Sequence, residues 1–425
     1  MKRYLFFWLS LTVLLLLAVA VFNFFIDPYG LFRIVDRPGF NSIKPKAAPH
    51  GEMVKAYQVL RIKPRALILG NSRAEVGFDP KHPAWPASAR PVYNLALPGT
   101  DTSTTLLYLQ HVLASETGNP ANKPEVAKPE IVVWGIDFMD FLTDGAMPPG
   151  SLKLTGGDRR LLANPDGSEN QTRSLQQLRD YLESTVTLAA FLDSAQTLLS
   201  QQNPYAVDLT PLGFNPMHDY IKITADEGYW NVFQQKDQAN TKAYLRRPKD
   251  IFNAGGRSSL AFDNLRQVIK LCRQNGISLR LVIYPYHAHL LEIIRITGHW
   301  QAFEAWKREV TRIVAEDASA LGASPVPLWD FSDFNDLTTE AIPAKGDRHA
   351  KMRWYWEAGH FKRELGDLVL TQVLDHKEAA NGFGVTLSPA NIDAQILSLR
   401  AGETAYRQSH AQDVEALELI TTQRR

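Results

Sequence analysis

Ala66-Leu67-Ile68-Leu69-Gly70-Asn71-Ser72-Arg73 is four apolar residues followed by glycine and a short polar turn. A continuous apolar run bounded in this way suits a strand covered on both faces. Moving outward, runs of the same kind recur at residues 92–97, 131–134, 279–284 and 326–329. Helical spacing fills the gaps. Residues 102–114 carry Leu106, Leu107, Leu109, Val112 and Leu113, and residues 260–275 carry Leu265, Val268, Ile269 and Leu271 before Gly276. Glycine after a last helical turn is a common cap. Strands alternating with helices predict a parallel sheet with right-handed crossovers, in an α/β/α arrangement of three layers. Ser72 then stands at the C-terminal tip of the first strand.

The flanks add three further parts. Lys2 and Arg3 precede an almost unbroken apolar run over residues 4–25. At about 1.5 Å per helical residue this run is long enough for a hydrocarbon core of roughly 30 Å. Ala18-Val19-Ala20 has the form a signal peptidase reads, but the run continues past it through Val21 and Phe25, so an uncleaved single-pass anchor is expected over residues 1–25. Either reading exports the bulk of the chain. Orientation is not decided by charge, because Arg33, Arg37, Lys44 and Lys46 follow the span. Residues 26–60 read as a stalk and lead-in segment broken by prolines and glycines. The core α/β domain is expected over residues 61–375. A mostly helical insertion interrupts it at about 140–260, opened by Pro148, Pro149, Gly150, Gly156 and Gly157; it is either a cap over a cleft at the sheet's edge or a simple helical decoration. Residues 376–425 read as a helical extension whose amphipathic part starts at Ser388-Pro389 and runs to about Ile420.

Four segments carry residues suited to chemistry. Ser72 follows the first strand. Pro98-Gly99 follows the second, and a glycine there lets a backbone N–H approach a ligand. Gly135-Ile136-Asp137 ends the third. Far downstream, Trp354-Tyr355-Trp356-Glu357-Ala358-Gly359-His360 sets a carboxylate three residues before a histidine. In a helical turn this spacing would let Glu357 orient the imidazole of His360. Serine, histidine and carboxylate are the parts of nucleophilic acyl transfer. Trp354 and Trp356, with Tyr286 and Arg73, are candidates to hold a substrate, since aromatic faces suit sugar rings.

The order of these segments resembles the block layout of the SGNH/GDSL hydrolases. The resemblance implies a short parallel sheet of SGNH or flavodoxin-like form. It implies Ser72 as nucleophile, His360 as base and Glu357 as its acid, with Gly99 and Asp137 at the oxyanion positions. Three residues depart from the family pattern: Asn71 for Asp, Glu357 for Asp, and Asp137 for Asn. The last matters most, because an ionised carboxylate cannot donate to an oxyanion. The anchor followed by Ile26-Asp27-Pro28-Tyr29-Gly30 is similar to membrane-bound bacterial SGNH-like proteins, some of which act in polysaccharide O-acetylation. This implies a place in the bacterial inner membrane with the domain on the periplasmic side. A carbohydrate or acylated envelope substrate and a membrane acyltransferase partner are implied with it. The alternative is a non-catalytic module of the same fold that binds polysaccharide or scaffolds an acylation complex.

Charge is balanced, with 46 Lys and Arg against 45 Asp and Glu, which speaks against nucleic acid as a partner. Cys272 is the one cysteine, so an intrachain disulfide and a cysteine-based metal cluster are both excluded. No cofactor motif is present. His287-Ala288-His289 is a possible ligand pair without a carboxylate-rich motif beside it, and no metal site is expected.

Overall fold

The computed structural model describes residues 1–115, 128–144, 158–253, 256–379 and 382–422. The Pro- and Gly-bearing residues 148–157 that open the expected insertion lie outside these. The five apolar runs form parallel strands: β1 (Ala66–Leu69), β2 (Val92–Asn94), β3 (Ile131–Ile136), β4 (Ser278–Ile283) and β5 (Leu328–Asp330). A separate hairpin pairs β6 (Tyr355–Glu357) with β7 (His360–Phe361). A sixth strand joins the main sheet as β8 (Val385–Thr386), antiparallel to β5. It is two residues long, too short for a sequence pattern to show.

The order across the sheet is β2-β1-β3-β4-β5-β8. The chain therefore steps outward from β1 to β2, then returns past β1 to β3. Crossovers that leave in opposite directions open a crevice at the C-terminal ends of the strands on either side of the reversal. Ser72 follows β1 and Asp137 follows β3, so both border that crevice. Every residue of β1 and β3 is buried, as expected when helices cover both faces. On one face lie α3 (Ser72–Gly77) and α12 (Arg363–Asp375). On the other lie α4 (Thr102–Ala114), α9 (Leu260–Gln274) and α11 (Trp300–Leu321). Gly276 follows α9 with φ +68°, the left-handed cap its position predicts.

The N-terminal helix, α1 (Lys2–Ile26), is exposed over most of its length and is long and apolar enough to cross a membrane. Its end is held firmly. Asn41 Nδ2 donates to the carbonyls of Phe25 and Val35, at 3.1 and 2.8 Å, and Lys44 Nζ donates to that of Ile26 at 2.7 Å. The Asp27 carboxylate accepts from the N–H groups of Leu31, Phe32 and Arg33. The segment read as a stalk is thus packed onto the domain, reaching α2 (Gly51–Ile62) through Gln58, which donates to the Gly30 carbonyl at 2.6 Å.

The stretch between β3 and β4 contributes α5 (Arg173–Val186), α6 (Leu188–Ser200), α7 (His218–Glu227) and α8 (Tyr229–Leu245). After β4, α10 (Ala288–Ile296) packs against α8. The C-terminal extension divides into α13 (Ile392–Ser409) and α14 (Ala411–Thr422), with the break at His410. One continuous amphipathic segment is expected from the sequence. Instead, α14 turns back onto α10 and α8.

Candidate active site

Two glycines shape the floor of the crevice. Gly70 has φ +136°, and a Cβ there would lie 2.4 Å from the Tyr284 hydroxyl. A Cβ on Gly135 would lie 2.3 Å from the same ring. Tyr284, at the end of β4, fills the space both glycines leave and donates to the Gly135 carbonyl at 2.9 Å. With Gly70 extended past β1, Asn71 caps α3, its Oδ1 accepting from the Arg73 N–H at 3.1 Å. Ser72 is placed at the start of that short helix, partly exposed at the crevice.

His360 meets it from the other end of the chain. Ser72 Oγ lies 2.8 Å from His360 Nε2, across 288 residues of sequence. His360 Nδ1 bonds to Glu357 Oε1, and Glu357 Oε2 accepts the Gly359 N–H at 2.7 Å. The carboxylate fixes the proton on Nδ1, which leaves Nε2 free to accept from the serine hydroxyl. Burial opposes the charge on Glu357, but the adjacent His360 and the Gly359 N–H outweigh it and hold the carboxyl down to about 2. The spacing was expected to work through a helical turn. The structure uses a tight β-hairpin, in which Glu357 and His360 are directly paired.

Asp137 is brought to the crevice, but not as an oxyanion donor. Its Oδ2 accepts from Asn71 Nδ2 at 2.8 Å and forms an ion pair with Arg73 Nη1. Its Oδ1 accepts from the Tyr286 hydroxyl at 2.9 Å and the Met139 N–H at 3.2 Å. Both oxygens are occupied as acceptors, so the oxyanion role expected of Asp137 does not fit this geometry. The same network corrects two substrate-binding expectations. Tyr286 is fully buried, and Arg73 is turned inward onto Asp137 with its guanidinium 5.4 Å from the Tyr286 ring centre. Hydrogen bonds from Leu95 to Ile68 and from Leu97 to Gly70 extend the β1–β2 ladder, so Ser72 and Gly99 both stand two residues past its last rung. Among the described residues, neither N–H takes an acceptor.

The expected aromatic wall is only half open. Trp354 is partly buried beneath the Arg353 guanidinium, 4.2 Å from its ring centre. Trp356 is partly exposed and meets Lys362 Nζ at 4.4 Å and the Tyr220 ring of α7 at 6.1 Å. The histidine pair is engaged elsewhere: His289 Nδ1 bonds Asp237 at 2.8 Å, and His287 Nε2 bonds the Glu340 carbonyl at 2.9 Å.

Sequence reasoning missed two contributions. Asp140 lies three residues after Asp137, across the 3₁₀ turn Phe138–Phe141, where residues i and i+3 eclipse. Burial pushes its carboxyl up to about 7, against the pull of Arg73. The Asp-x-x-Asp spacing was the available signal. The insertion also reaches the site: Lys236 of α8 lies 5.5 Å from the Tyr220 ring centre, and its charge favours ionised Glu357. Nothing in the sequence marks that approach. The chain matches no protein-family profile, no curated protein and no solved structure.

Proposed function

We propose that this chain is a membrane-anchored serine esterase or acyltransferase of the SGNH type, acting on acyl groups of an exported glycan or other envelope substrate. The observation that carries the reading is the continuous relay Ser72–His360–Glu357 at the rim of the sheet's crevice. In that reading Ser72 Oγ attacks the acyl carbonyl carbon while His360 Nε2 takes its proton and Glu357 stabilises the imidazolium. The N–H groups of Ser72 and Gly99 receive the oxyanion. His360 then returns the proton to the leaving alcohol. Water or an acceptor hydroxyl, deprotonated by the same histidine, releases the acyl group from Ser72. Arg73 neutralises Asp137, which removes the repulsion an isolated carboxylate would exert on the oxyanion.

The envelope setting rests on α1, which supports a single-pass anchor; a bacterial inner membrane with the domain on the periplasmic side is what the resemblance adds to it. Trp356 and Tyr220 are suited to a sugar ring, and a membrane acyltransferase is the partner able to deliver the acyl group. One observation favours a second reading, a non-catalytic module of the same fold: Asp137 accepts where related enzymes have a donor. A fluorophosphonate probe separates the two. The detergent-solubilised full chain is expected to gain one adduct, on Ser72, and the Ser72→Ala variant none. Absence of labelling in a chain that melts cooperatively would leave the non-catalytic module.

A further inference from the structure

Surface helices ordinarily bury their apolar stripe. In α5 and α6 the stripe faces outward. On α5, Asp180 and Ser184 are buried while Leu175, Leu178, Leu182 and Val186 are exposed. Asp180 is held inside by the Tyr57 hydroxyl at 2.7 Å and by Arg160. On α6, Ser194 and Thr197 are fully buried, whereas Leu188 and Leu192 are 71% and 60% exposed. At about 100° per residue these sets fall on opposite sides of each helix. The one charge of α6, Asp193, also turns inward, accepting from the Tyr29 hydroxyl at 2.8 Å.

The position of this hairpin explains the inversion. Tyr181 packs on Phe32, beyond the end of α1, with ring centres 5.2 Å apart. One turn later, the Thr185 carbonyl accepts from Asn23 Nδ2 at 2.7 Å, and Asn23 Oδ1 accepts from Ser194 at 2.9 Å. Phe191 meets Phe22 at 5.3 Å. α5 therefore runs back along α1, and its turn into α6 lies beside the last apolar turns of that helix. A hydrocarbon core of about 30 Å takes roughly 20 helical residues. With Lys2 and Arg3 at one boundary, Val19 to Asn23 stand at the other.

We infer that the turn of the α5–α6 hairpin is seated in the bilayer boundary, with Leu182, Val186, Leu188 and Leu192 among lipid acyl chains and Leu175 and Leu178 beyond the headgroups. The inference rests on α1 crossing the membrane. Lipid is the occupant because the exposed face at the hairpin's turn adjoins, at Phe191 and Phe22, the exposed surface of α1. The exposed Arg179–Glu183 pair beside the stripe is long enough to keep its charges at the headgroups. Two attachments fix the domain's orientation, where a lone helix would let it swivel.

Spin labels on the full chain test this. Nitroxides are placed by Leu188→Cys and Leu192→Cys, with Leu15→Cys in α1 and the exposed Leu321→Cys in α11 as references. The chains are reconstituted in phosphatidylcholine–phosphatidylglycerol vesicles. Positions 188 and 192 are expected to match 15, with oxygen accessibility severalfold higher relative to a nickel chelate than at 321. If they match 321 while 15 remains lipid-like, the hairpin is in water and the inference fails. Shielding of 188 and 192 from both reagents would mean that protein covers the face, which also overturns it. Water-like behaviour at 15 itself would show instead that the anchor reading has failed.

Discussion

At the residue scale, the relay and its neighbours make separable predictions. Ser72→Ala and His360→Ala are expected to abolish turnover of a small acyl ester while leaving the melting temperature nearly unchanged. Glu357→Gln keeps the shape and loses the charge, and is expected to slow turnover by up to roughly 10⁴-fold. Asp137→Asn is the more informative change. An amide there would supply the donor that the SGNH/GDSL pattern has at this place, yet it would also strip Arg73 of its counter-charge. Breaking a buried ion pair from one side costs roughly 3–5 kcal/mol. Because the amide oxygen still accepts, a loss near the lower end is expected in urea unfolding, with no gain in rate. A faster, equally stable variant would refute the assignment of Asp137 as a counter-charge. Asp140 gives a pH signature. Its carboxyl lies near 7 in the fold against 3.8 in the open chain. Between those values the unfolded chain has lost a proton that the fold retains, so stability falls as pH rises toward 7 and is level above it. Asp140→Asn is expected to flatten that part of the melting-temperature profile relative to the native chain. The meeting of Ser72, Glu357 and His360 was expected in sequence because the order of their segments resembles a known block layout. The role of Asp137 was not, because three of its four donors, on Asn71, Arg73 and Tyr286, come from other elements.

At the element scale, the crevice depends on the fit between two glycines and one ring. Gly135→Ala is expected to destabilise the fold by pushing Tyr284 out of place. Tyr284→Ala alone opens a cavity. Together the two changes should cost less than their sum, with a coupling in the range of about 0.5–3 kcal/mol for residues in contact. Strict additivity in a double-mutant cycle would show that the ring does not occupy the glycine gap. The acid–histidine spacing teaches the same lesson about elements. Three residues apart fits a helical turn and a tight hairpin equally well, and the sequence offered no signal between them. The alternation of Tyr355 and Glu357, both buried, with the partly exposed Trp356 is the period-two pattern of a strand, but three residues are too few to read it.

At the scale of the whole molecule, the N-terminal helix and the insertion act together. The chain with α1 intact is expected to stay with membranes through high salt and carbonate and to be released by detergent. A mature chain starting near Val21 would refute the anchor. The sequence by itself determined the five parallel strands, the long apolar helix, and the residue types that meet at Ser72. Each of these is written in local periodicity or in a side chain's own chemistry. Only the tertiary structure decided that Asp137 serves Arg73, that the stalk and lead-in segment is packed down by Asn41 and Lys44, and that α5 and α6 turn their leucines outward. The physical reason is the same in all three. A side chain's role depends on which donors, charges and surfaces arrive from segments distant in sequence, and a helix's apolar stripe does not reveal whether it will face a core or a bilayer.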